Sequence, residues 1–346
     1  MRIKHILLSL CIAIGFVHGV HAQKSYASYC VGFYNVENLF DTEDDPNNDG
    51  DDDYLPSGPY NWTPAKYEKK LDNIAKVISR LGKDYTQAGP AILGVAEVEN
   101  RRVLEDLVKN ERIADRGYEI VHYDSPDRRG IDVGLLYNPR LFQVTNSKAV
   151  PYILPDRPDF KTRDLLVVSG MLAGEPLHVV VCHWPSRYGG NKSSALREHA
   201  ASIALSIVDS LQTIDPYANV VIMGDLNDDP TDKSTRVVLN AKKHANDVKK
   251  GGLHNTMWKH YDRGVGSLAY QNKWNLFDQI IVSYGLLGKH SQSGLMYWKS
   301  EVFNKEFLIQ KEGKRKGYPW RTFDGNTFID GYSDHFPTLI YLIKEI

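Results

Sequence analysis

An apolar run that ends in polar residues occupies positions 219–228, where the sequence is Asn-Val-Val-Ile-Met-Gly-Asp-Leu-Asn-Asp. The apolar residues from Val220 to Met223 favour a buried strand. Asp225 and Asn227 follow at the point where that strand should end. Strand ends meet at one edge of a sheet, so we expect these two side chains to lie where distant parts of the chain converge.

The same pattern recurs along the chain. Glu97, His183 and Asn35 each follow an apolar run, Asp278 opens one, and Asp334 and His335 precede the last one. Any one of these residues alone is compatible with a solvated strand end, a core histidine or a turn. Their joint occurrence predicts a single site. Its candidate members are Asn35, Glu97, His183, Asp225, Asn227, Asp278, Asp334 and His335.

The remaining sequence alternates predicted strands with predicted helices. Strands are expected at 28–34, 91–98, 118–123, 131–137, 164–170, 177–182, 219–223, 277–283 and 338–343, and helices at 64–81, 101–112, 193–211 and 231–239. Periodic apolar residues support the helix at 64–81, with Thr63 as N-cap and Pro64 in the first turn. No proline- or serine-rich linker interrupts the pattern. We therefore expect one α/β domain over residues 23–346, with helices outside the sheets.

The amino terminus has the features of a secretory signal. Arg2 and Lys4 precede an apolar segment at 6–17, and Val20-His21-Ala22 forms a small-residue cleavage site. The apolar segment is shorter than the roughly 20 residues of a spanning helix, and no other long apolar run exists. The sequence therefore predicts a signal peptide at residues 1–22, export to a periplasm or the exterior, and no stable membrane insertion.

Two cysteines, Cys30 and Cys182, remain after that cleavage. An exported pair can form a disulfide, but both residues lie in apolar runs, which favours two buried thiols.

The overall composition is that of an ordinary globular protein. Hydrophobic residues make up 42% and charged residues 25%, which excludes a disordered tail, a collagen-like chain and a coiled-coil rod. The formal net charge of −1 argues at first against a partner that is a polyanion. Eight acids and no bases, however, lie within Asp41–Asp53, so the rest of the chain is mildly basic. This segregation favours an anionic substrate.

The acidic segment itself has alternate spacing of Asp45, Asn47 and Asp49 before Gly50, and Asp51 and Asp53 continue it. This order resembles the first half of an EF-hand calcium loop. Pro56 occupies the twelfth position, where the bidentate Glu should stand, so a complete EF-hand is not predicted. A structural Ca²⁺ site at Asp45–Asp53 and a merely solvated loop both remain open.

Six stretches together resemble the endonuclease/exonuclease/phosphatase superfamily, the DNase I-like proteins. They are residues 34–38, 94–98, 182–184, 224–228, 277–280 and 333–337. The resemblance implies a four-layer α/β sandwich, in which two mixed β-sheets pack face to face with helices on the outside. It also implies metal-dependent hydrolysis of phosphoesters.

Site roles follow from the same resemblance. Asn35, Glu97 and Asp334 would lie at a Mg²⁺ or Mn²⁺ ion, which prefers oxygen ligands. Asp225 would position or deprotonate the attacking water, and His335 would pair with Asp278. His183 would donate a hydrogen bond to the phosphate, and Asn227 would donate to a phosphoryl oxygen or help to hold the water. Arg163 resembles an arginine often found near the phosphate in this family, although a surface arginine is the alternative. Ser186 and Arg187 are expected to bind substrate because they follow His183 in the glycine-rich loop 185–191.

The function expected first is an exported nuclease that cleaves phosphodiesters of DNA or RNA. The segment Lys289–Arg321 supports it with eight bases among four Tyr and Trp residues, although a solvated loop would look alike. The alternatives are a sphingomyelinase-like phospholipase, an inositol or small-molecule phosphatase, and a binding module that lost its chemistry. An exposed apolar hairpin for a membrane is not evident, and no catalytic residue type is missing. The sequence indicates no protein partner.

Overall fold

The computed structural model describes residues 24–46 and 48–346, so the predicted signal peptide lies outside the described residues. The described chain forms sixteen strands and four α-helices. The strands of the first part are β1 (Tyr26–Leu39), β2 (Pro90–Val98), β3 (Glu119–His122), β4 (Asp132–Tyr137), β5 (Phe142–Val150), β6 (Leu165–Leu172), β7 (Glu175–His183) and β8 (Val220–Asp225). Those of the second part are β9 (Leu253–Asn255), β10 (Leu268–Tyr270), β11 (Lys273–Asn275), β12 (Asp278–Ser283), β13 (Met296–Val302), β14 (Phe323–Asp324), β15 (Thr327–Phe328) and β16 (Thr338–Glu345). The helices are α1 (Pro64–Arg80), α2 (Arg101–Lys109), α3 (Ser194–Ile214) and α4 (Trp258–Asp262).

Twelve of the strands form two mixed sheets of six. The first has the order β13-β16-β1-β2-β4-β3 and the second the order β5-β6-β7-β8-β12-β9. Each sheet contains one parallel pair, β1 with β2 and β7 with β8, and the other neighbours are antiparallel. A parallel pair needs a crossover, which here contains α1 in one sheet and α3 in the other. Each crossover brings the carboxyl ends of two strands to the same edge.

The two sheets pack face to face and enclose the main core. At Gly94 of β2 the two sheets approach closely, because a Cβ there would lie 2.7 Å from the sulfur of Met223 in β8. Leu71 and Ile74 of α1 join this core from the outer side. A second core, which includes Ala204 of α3, lies between the second sheet and that helix. The predicted four-layer sandwich is therefore confirmed.

Some predicted elements differ in the structure. Strand β1 extends to Leu39 instead of ending at 34, and α2 ends at Lys109 instead of 112. The helix predicted at 231–239 is only a short π-helical turn at Ser234–Val238. Strands β5 and β13 were not predicted, because β5 has a polar sequence and β13 lies in a basic segment. Both are edge strands, which need few apolar residues.

Cys30 and Cys182 are buried free thiols, as their apolar surroundings predict. They lie in different sheets, on β1 and β7. No helix within 24–46 and 48–346 combines the length and apolarity that crossing a bilayer requires.

Candidate active site

The candidate residues converge at the edge where the two parallel strand pairs end. Strand register puts His183 beside Asp225, Asp278 also beside Asp225, and Asn35 beside Ala96, the neighbour of Glu97. Distant parts of the sequence thus meet because hydrogen-bonded strands end together. We call Asn35, Glu97, His183, Asp225, Asp278 and His335 the reacting cluster.

Asp225 is at the centre of this cluster. One carboxylate oxygen, Oδ2, accepts a hydrogen bond from Asn35 Nδ2 at 3.1 Å. The same oxygen lies 3.6 Å from His183 Nε2 and 3.8 Å from His335 Nε2. Burial raises the pKa of Asp225 to about 6, although the charge of His335 lowers it. A carboxylate of that pKa is mostly ionised at neutral pH and still able to take up a proton.

His335 and Asp278 form the predicted pair. His335 Nδ1 lies 2.7 Å from Asp278 Oδ2, and both residues are buried. Burial lowers the pKa of His335, but the charge and hydrogen bond of Asp278 outweigh this and raise it well above its usual value. The imidazole is therefore a cation that faces Asp225.

The loop that carries His335 is fixed to β1 through Ser333. Its hydroxyl donates to the carbonyl oxygen of Asn35 at 2.7 Å and accepts the backbone N–H of His335 at 3.0 Å. These two hydrogen bonds fix the position of His335 relative to Asn35.

Glu97 is held at the end of β2 by the neighbouring strand end and by a loop. Its Oε2 accepts the backbone N–H of Asn38 at 3.1 Å, and its Oε1 lies 3.3 Å from Arg129 Nη1. Burial would raise the pKa of Glu97, but the charge and the hydrogen bond of Arg129 lead to a lowered pKa. Glu97 is thus an ionised buried carboxylate. Arg129 was not predicted, and the only available signal was its Asp-Arg-Arg-Gly loop at 127–130.

His183 is buried, and burial together with the charge of Arg163 lowers its pKa well below the usual value. Arg163 lies behind it and donates to the carbonyl oxygens of His183 at 3.2 Å and Trp184 at 2.8 Å. Its third contact is a 2.9 Å ion pair with Asp127. Arg163 is only 7% exposed, so these contacts position the end of β7. Its role in substrate binding stays a prediction.

The other two residues expected to bind substrate lie in different surroundings. Arg187 Nε donates to the carbonyl oxygen of Asn227 at 2.8 Å, and its guanidinium lies over the Phe277 ring at 4.4 Å. Ser186 is exposed and makes a 3.4 Å contact with the N–H of Tyr188, outside the reacting cluster. The side-chain amide of Asn227 donates to the carbonyl oxygen of Trp184 at 2.9 Å, which leaves one amide hydrogen for a ligand.

Asp334 lies at the margin of the cluster, with its Oδ1 3.8 Å from His335 Nε2. Its Oδ2 accepts from Arg321 Nη2 at 3.2 Å, and Arg321 Nε donates to Glu37 Oε1 at 3.1 Å. Burial, with the charge of Asp334, raises the pKa of Glu37. The sequence pointed to the stretch that contains Glu37 but not to its ion pair with Arg321.

The oxygen atoms at this site fit a hard divalent cation. Glu97 is ionised and buried, and the amide oxygen of Asn35 accepts the N–H of Glu37 at 3.0 Å while keeping a second lone pair. The ring of His335 is protonated and offers no lone pair, whereas the neutral ring of His183 lies with its Nε2 3.9 Å from Glu97 Oε1. Mg²⁺ and Mn²⁺ prefer such oxygen donors.

Four residues around the site adopt left-handed backbone conformations without being glycine. These are Glu37, Asn38, Glu97 and Asn227, with φ angles of 55°, 53°, 62° and 50°. Such a conformation costs an ordinary residue about 1 kcal/mol. The strand ends are therefore bent so that their side chains reach the reacting cluster.

Two cavities flank the cluster. The cationic cavity, about 690 Å³, opens beside Asn227 and Asp334 and contains four basic side chains and one carboxylate. Its basic residues are Arg187, Lys273, Arg315 and Arg321, and its aromatic residues are Tyr188, Tyr270, Phe277 and Tyr318.

The acidic groove, about 740 Å³, is lined by Arg128 and Gly130, the sequence neighbours of the Arg129 that pairs with Glu97. It contains six carboxylates and one guanidinium, that of Arg128. The carboxylates belong to Asp45, Asp49, Glu99, Asp124, Asp127 and Asp132. Burial raises the pKa of Glu99 to about 8, and nearby acids add to this effect.

Solved structures with the same fold include a mannosyl-6-phosphatase of Bacteroides thetaiotaomicron, with 14% identity, a TM-score of 0.55, and coverage of 91% of this chain and 99% of that one. A second is an endonuclease/exonuclease/phosphatase family protein of the same organism, with 14% identity, a TM-score of 0.54, and coverage of 94% and 98%. A third is TDP2 of D. rerio complexed with a single-stranded DNA product, with 14% identity, a TM-score of 0.53, and coverage of 91% and 98%. No curated protein matches the sequence significantly.

The family model described as "Endonuclease/Exonuclease/phosphatase family" matches residues 30–344. That range contains every residue of the reacting cluster, the whole second sheet, and the first sheet except residues 26–29 of β1 and Glu345 of β16. Members of this family hydrolyse phosphoesters with the help of divalent metals. By this match and by its fold, the chain belongs to the endonuclease/exonuclease/phosphatase family of phosphoesterases.

Proposed function

We propose that this phosphoesterase is an exported, metal-dependent nuclease that hydrolyses phosphodiester bonds in DNA or RNA. The main support for this reaction is the environment of Asp225 Oδ2. This oxygen lies 3.1 Å from Asn35 Nδ2, 3.6 Å from His183 Nε2 and 3.8 Å from His335 Nε2. The neutral imidazole of His183, the imidazolium of His335 and the ionisable carboxylate of Asp225 therefore lie close enough together to contact one phosphoryl group.

Each residue has a distinct role in this proposal. Asp225 takes a proton from the attacking water, for which its pKa of about 6 is suited. His335, kept charged by Asp278, stabilises the negative charge that develops on the phosphoryl oxygens, and His183 donates a hydrogen bond to them. A divalent cation at Glu97 and Asn35, close to Asp334, would add positive charge at the phosphoryl group.

The cationic cavity supports nucleic acid as the substrate. It is adjacent to the cluster, and its four bases can attract phosphates, with Arg187, Arg315 and Arg321 also paired to carboxylates. Tyr270, Phe277 and Tyr318 offer faces for stacking of nucleobases. The structure of TDP2 with a single-stranded DNA product, which has the same fold, makes single-stranded DNA the first substrate to test.

The test uses the mature chain with bis-p-nitrophenyl phosphate, a single-stranded oligonucleotide and mannose 6-phosphate. We expect turnover of the first two with Mg²⁺ or Mn²⁺ and none in EDTA. Asp209→Asn, on the exposed face of α3, is the control that should retain full activity. Preferential release of phosphate from mannose 6-phosphate would instead assign the protein as a sugar phosphatase.

Export is proposed from the predicted signal peptide at residues 1–22. The protein recovered from culture medium or periplasm should have the intact mass of a chain that begins at Gln23. A full-length mass in the cytoplasmic fraction alone would contradict export and leave the hydrolytic proposal untouched.

A further inference from the structure

Three carboxylates of the acidic segment converge away from the reacting cluster. Asp44, Asp51 and Asp52 each offer an oxygen atom, and these atoms lie within 4.8 Å of one another. We call these three residues the loop carboxylate cluster. They are not the alternately spaced set of an EF-hand, because the chain turns into a single 3-10 turn at Asp52–Tyr54.

Asp51 is the member that points to a ligand. Its side chain is 2% exposed, and its Oδ2 accepts the backbone N–H of Asp45 at 2.8 Å. Its Oδ1 is also buried, yet no group of the described chain donates a hydrogen bond to it. An ionised oxygen without a partner in such a place is strongly unfavourable.

Charge around Asp51 makes this burial still less favourable. Asp44 and Asp52 add two carboxylates within 4.8 Å, and no basic side chain among residues 24–46 and 48–346 lies within 4.0 Å of the three. The nearest described ion pair in the segment joins Arg102 to Asp41 and Glu43, which lie outside the cluster. A cation would remove both the repulsion and the unpaired oxygen.

We propose that the loop carboxylate cluster is a second divalent-cation site that takes Ca²⁺ and stabilises the fold. Three carboxylates without thiolate or imidazole form a set of hard oxygen donors. Asp44 and Asp52 are exposed, so water molecules and backbone carbonyls can complete the coordination. Ca²⁺ accepts six to eight oxygens in irregular geometry, whereas Mg²⁺ demands a near-octahedral arrangement.

The position of the cluster explains what a bound cation would stabilise. The 3-10 turn leads from Asp52 directly to Tyr54, whose ring stacks on Phe40 at 4.3 Å and meets Trp62 edge-on. Trp62 Nε1 donates to the carbonyl oxygen of Phe40, directly after β1. A cation at the cluster would therefore anchor the segment between β1 and α1 to the main core.

The test is thermal unfolding of the mature protein, first in EDTA and then with Ca²⁺ or Mg²⁺ at 1 mM. The Glu97→Gln background removes the carboxylate proposed to hold the metal at the reacting cluster. In this background we expect Ca²⁺ to raise Tm by about 5 °C, as binding at a hundredfold excess over Kd does for a chain of this size. Mg²⁺ should give a clearly smaller rise.

Asp51→Asn is the decisive variant, because Asn keeps an oxygen for the N–H of Asp45 and removes the unpaired charge. It should abolish the Ca²⁺ response without lowering Tm in EDTA, a result that a merely structural role for Asp51 would not give. Asp49→Asn, an exposed acid of the same segment outside the cluster, should keep the response. A Ca²⁺ response that is absent, survives Asp51→Asn or depends on Glu97 would overturn the proposal.

Discussion

The two cavities beside the reacting cluster are alike in size and opposite in charge. The cationic cavity of about 690 Å³ has four basic side chains against one carboxylate. The acidic groove of about 740 Å³ has five aspartates against one guanidinium, and its sixth acid, Glu99, is mostly protonated at neutral pH because its pKa is about 8. Aromatic side chains border the first, whereas polar and acidic side chains dominate the second. A near-neutral molecule thus presents two different electrostatic fields to a substrate.

This difference implies a direction for a substrate with several phosphates. Such a chain is attracted towards the cationic cavity and repelled from the acidic groove, so its neighbouring phosphates should extend past Asn227 and not past Arg129. A small phosphoester reaches only the reacting cluster and should be almost indifferent to both cavities. Comparing a small with a long substrate therefore separates the contributions of the three regions.

Substitutions in the reacting cluster, which lies between the two cavities, should have the largest effect on hydrolysis. Asp225→Asn and His335→Gln should each lower kcat/KM by roughly a hundredfold to ten-thousandfold, because each removes a proton acceptor or a charge needed in the transition state. The loss should be equal for bis-p-nitrophenyl phosphate and a single-stranded oligonucleotide, measured by initial rates. If only the oligonucleotide is hydrolysed more slowly, these residues act like those of a cavity, in binding the long substrate, and not in the reaction itself.

A smaller effect should come from the cationic cavity. Replacing both Lys273 and Arg315 by Ala should lower kcat/KM for the oligonucleotide about tenfold at low salt and reduce its salt dependence, since two phosphate contacts are lost. Bis-p-nitrophenyl phosphate should be hydrolysed at the unchanged rate. Lys249→Ala, at an exposed position outside the cavity, is the matched control. Equal losses for both substrates would show that the cavity does not discriminate by length.

The smallest effect should come from the acidic groove. Asp49→Asn combined with Asp124→Asn removes two exposed charges and should raise kcat/KM for the oligonucleotide about twofold to threefold at low ionic strength. The gain should vanish in 0.5 M salt, where the screening length is only several ångströms. If neutralisation lowers the rate instead, the groove contacts the substrate and the proposed direction is wrong.

Much of the fold was predictable because buried strands and amphipathic helices have clear periodicity. The runs at Val179–Cys182 and Val220–Met223 correspond to β7 and β8. In α1 the apolar residues at helical spacing are buried, and Lys70 and Asn73 are buried with them. Strand β13 escaped prediction because it forms an edge, where Tyr297, Lys299 and Glu301 alternate without a fully buried face. The segment predicted as a basic surface is thus in part a strand of the first sheet.

At the candidate site, sequence predicted which residues meet but not how each is held. The pairing of His335 with Asp278 agrees with the hydrogen bond in the structure, since both flank strands of the sandwich. The position of Arg163 behind His183 depends on which side of a strand end the guanidinium enters, which composition does not encode. Arg129 reaches Glu97 from a loop between β3 and β4, so only the folded chain reveals that contact.

The left-handed residues at the strand ends also bear on how this protein can change. A glycine at Glu97 or Asn227 would relieve the unfavourable backbone conformation and stabilise the fold. The same substitution would remove a functional side chain from the site. Selection for thermal robustness alone would therefore erode the site, and selection for turnover must tolerate a locally unfavourable backbone. Engineers who seek a more robust variant should begin in the second core around α3, where no residue of the reacting cluster is involved.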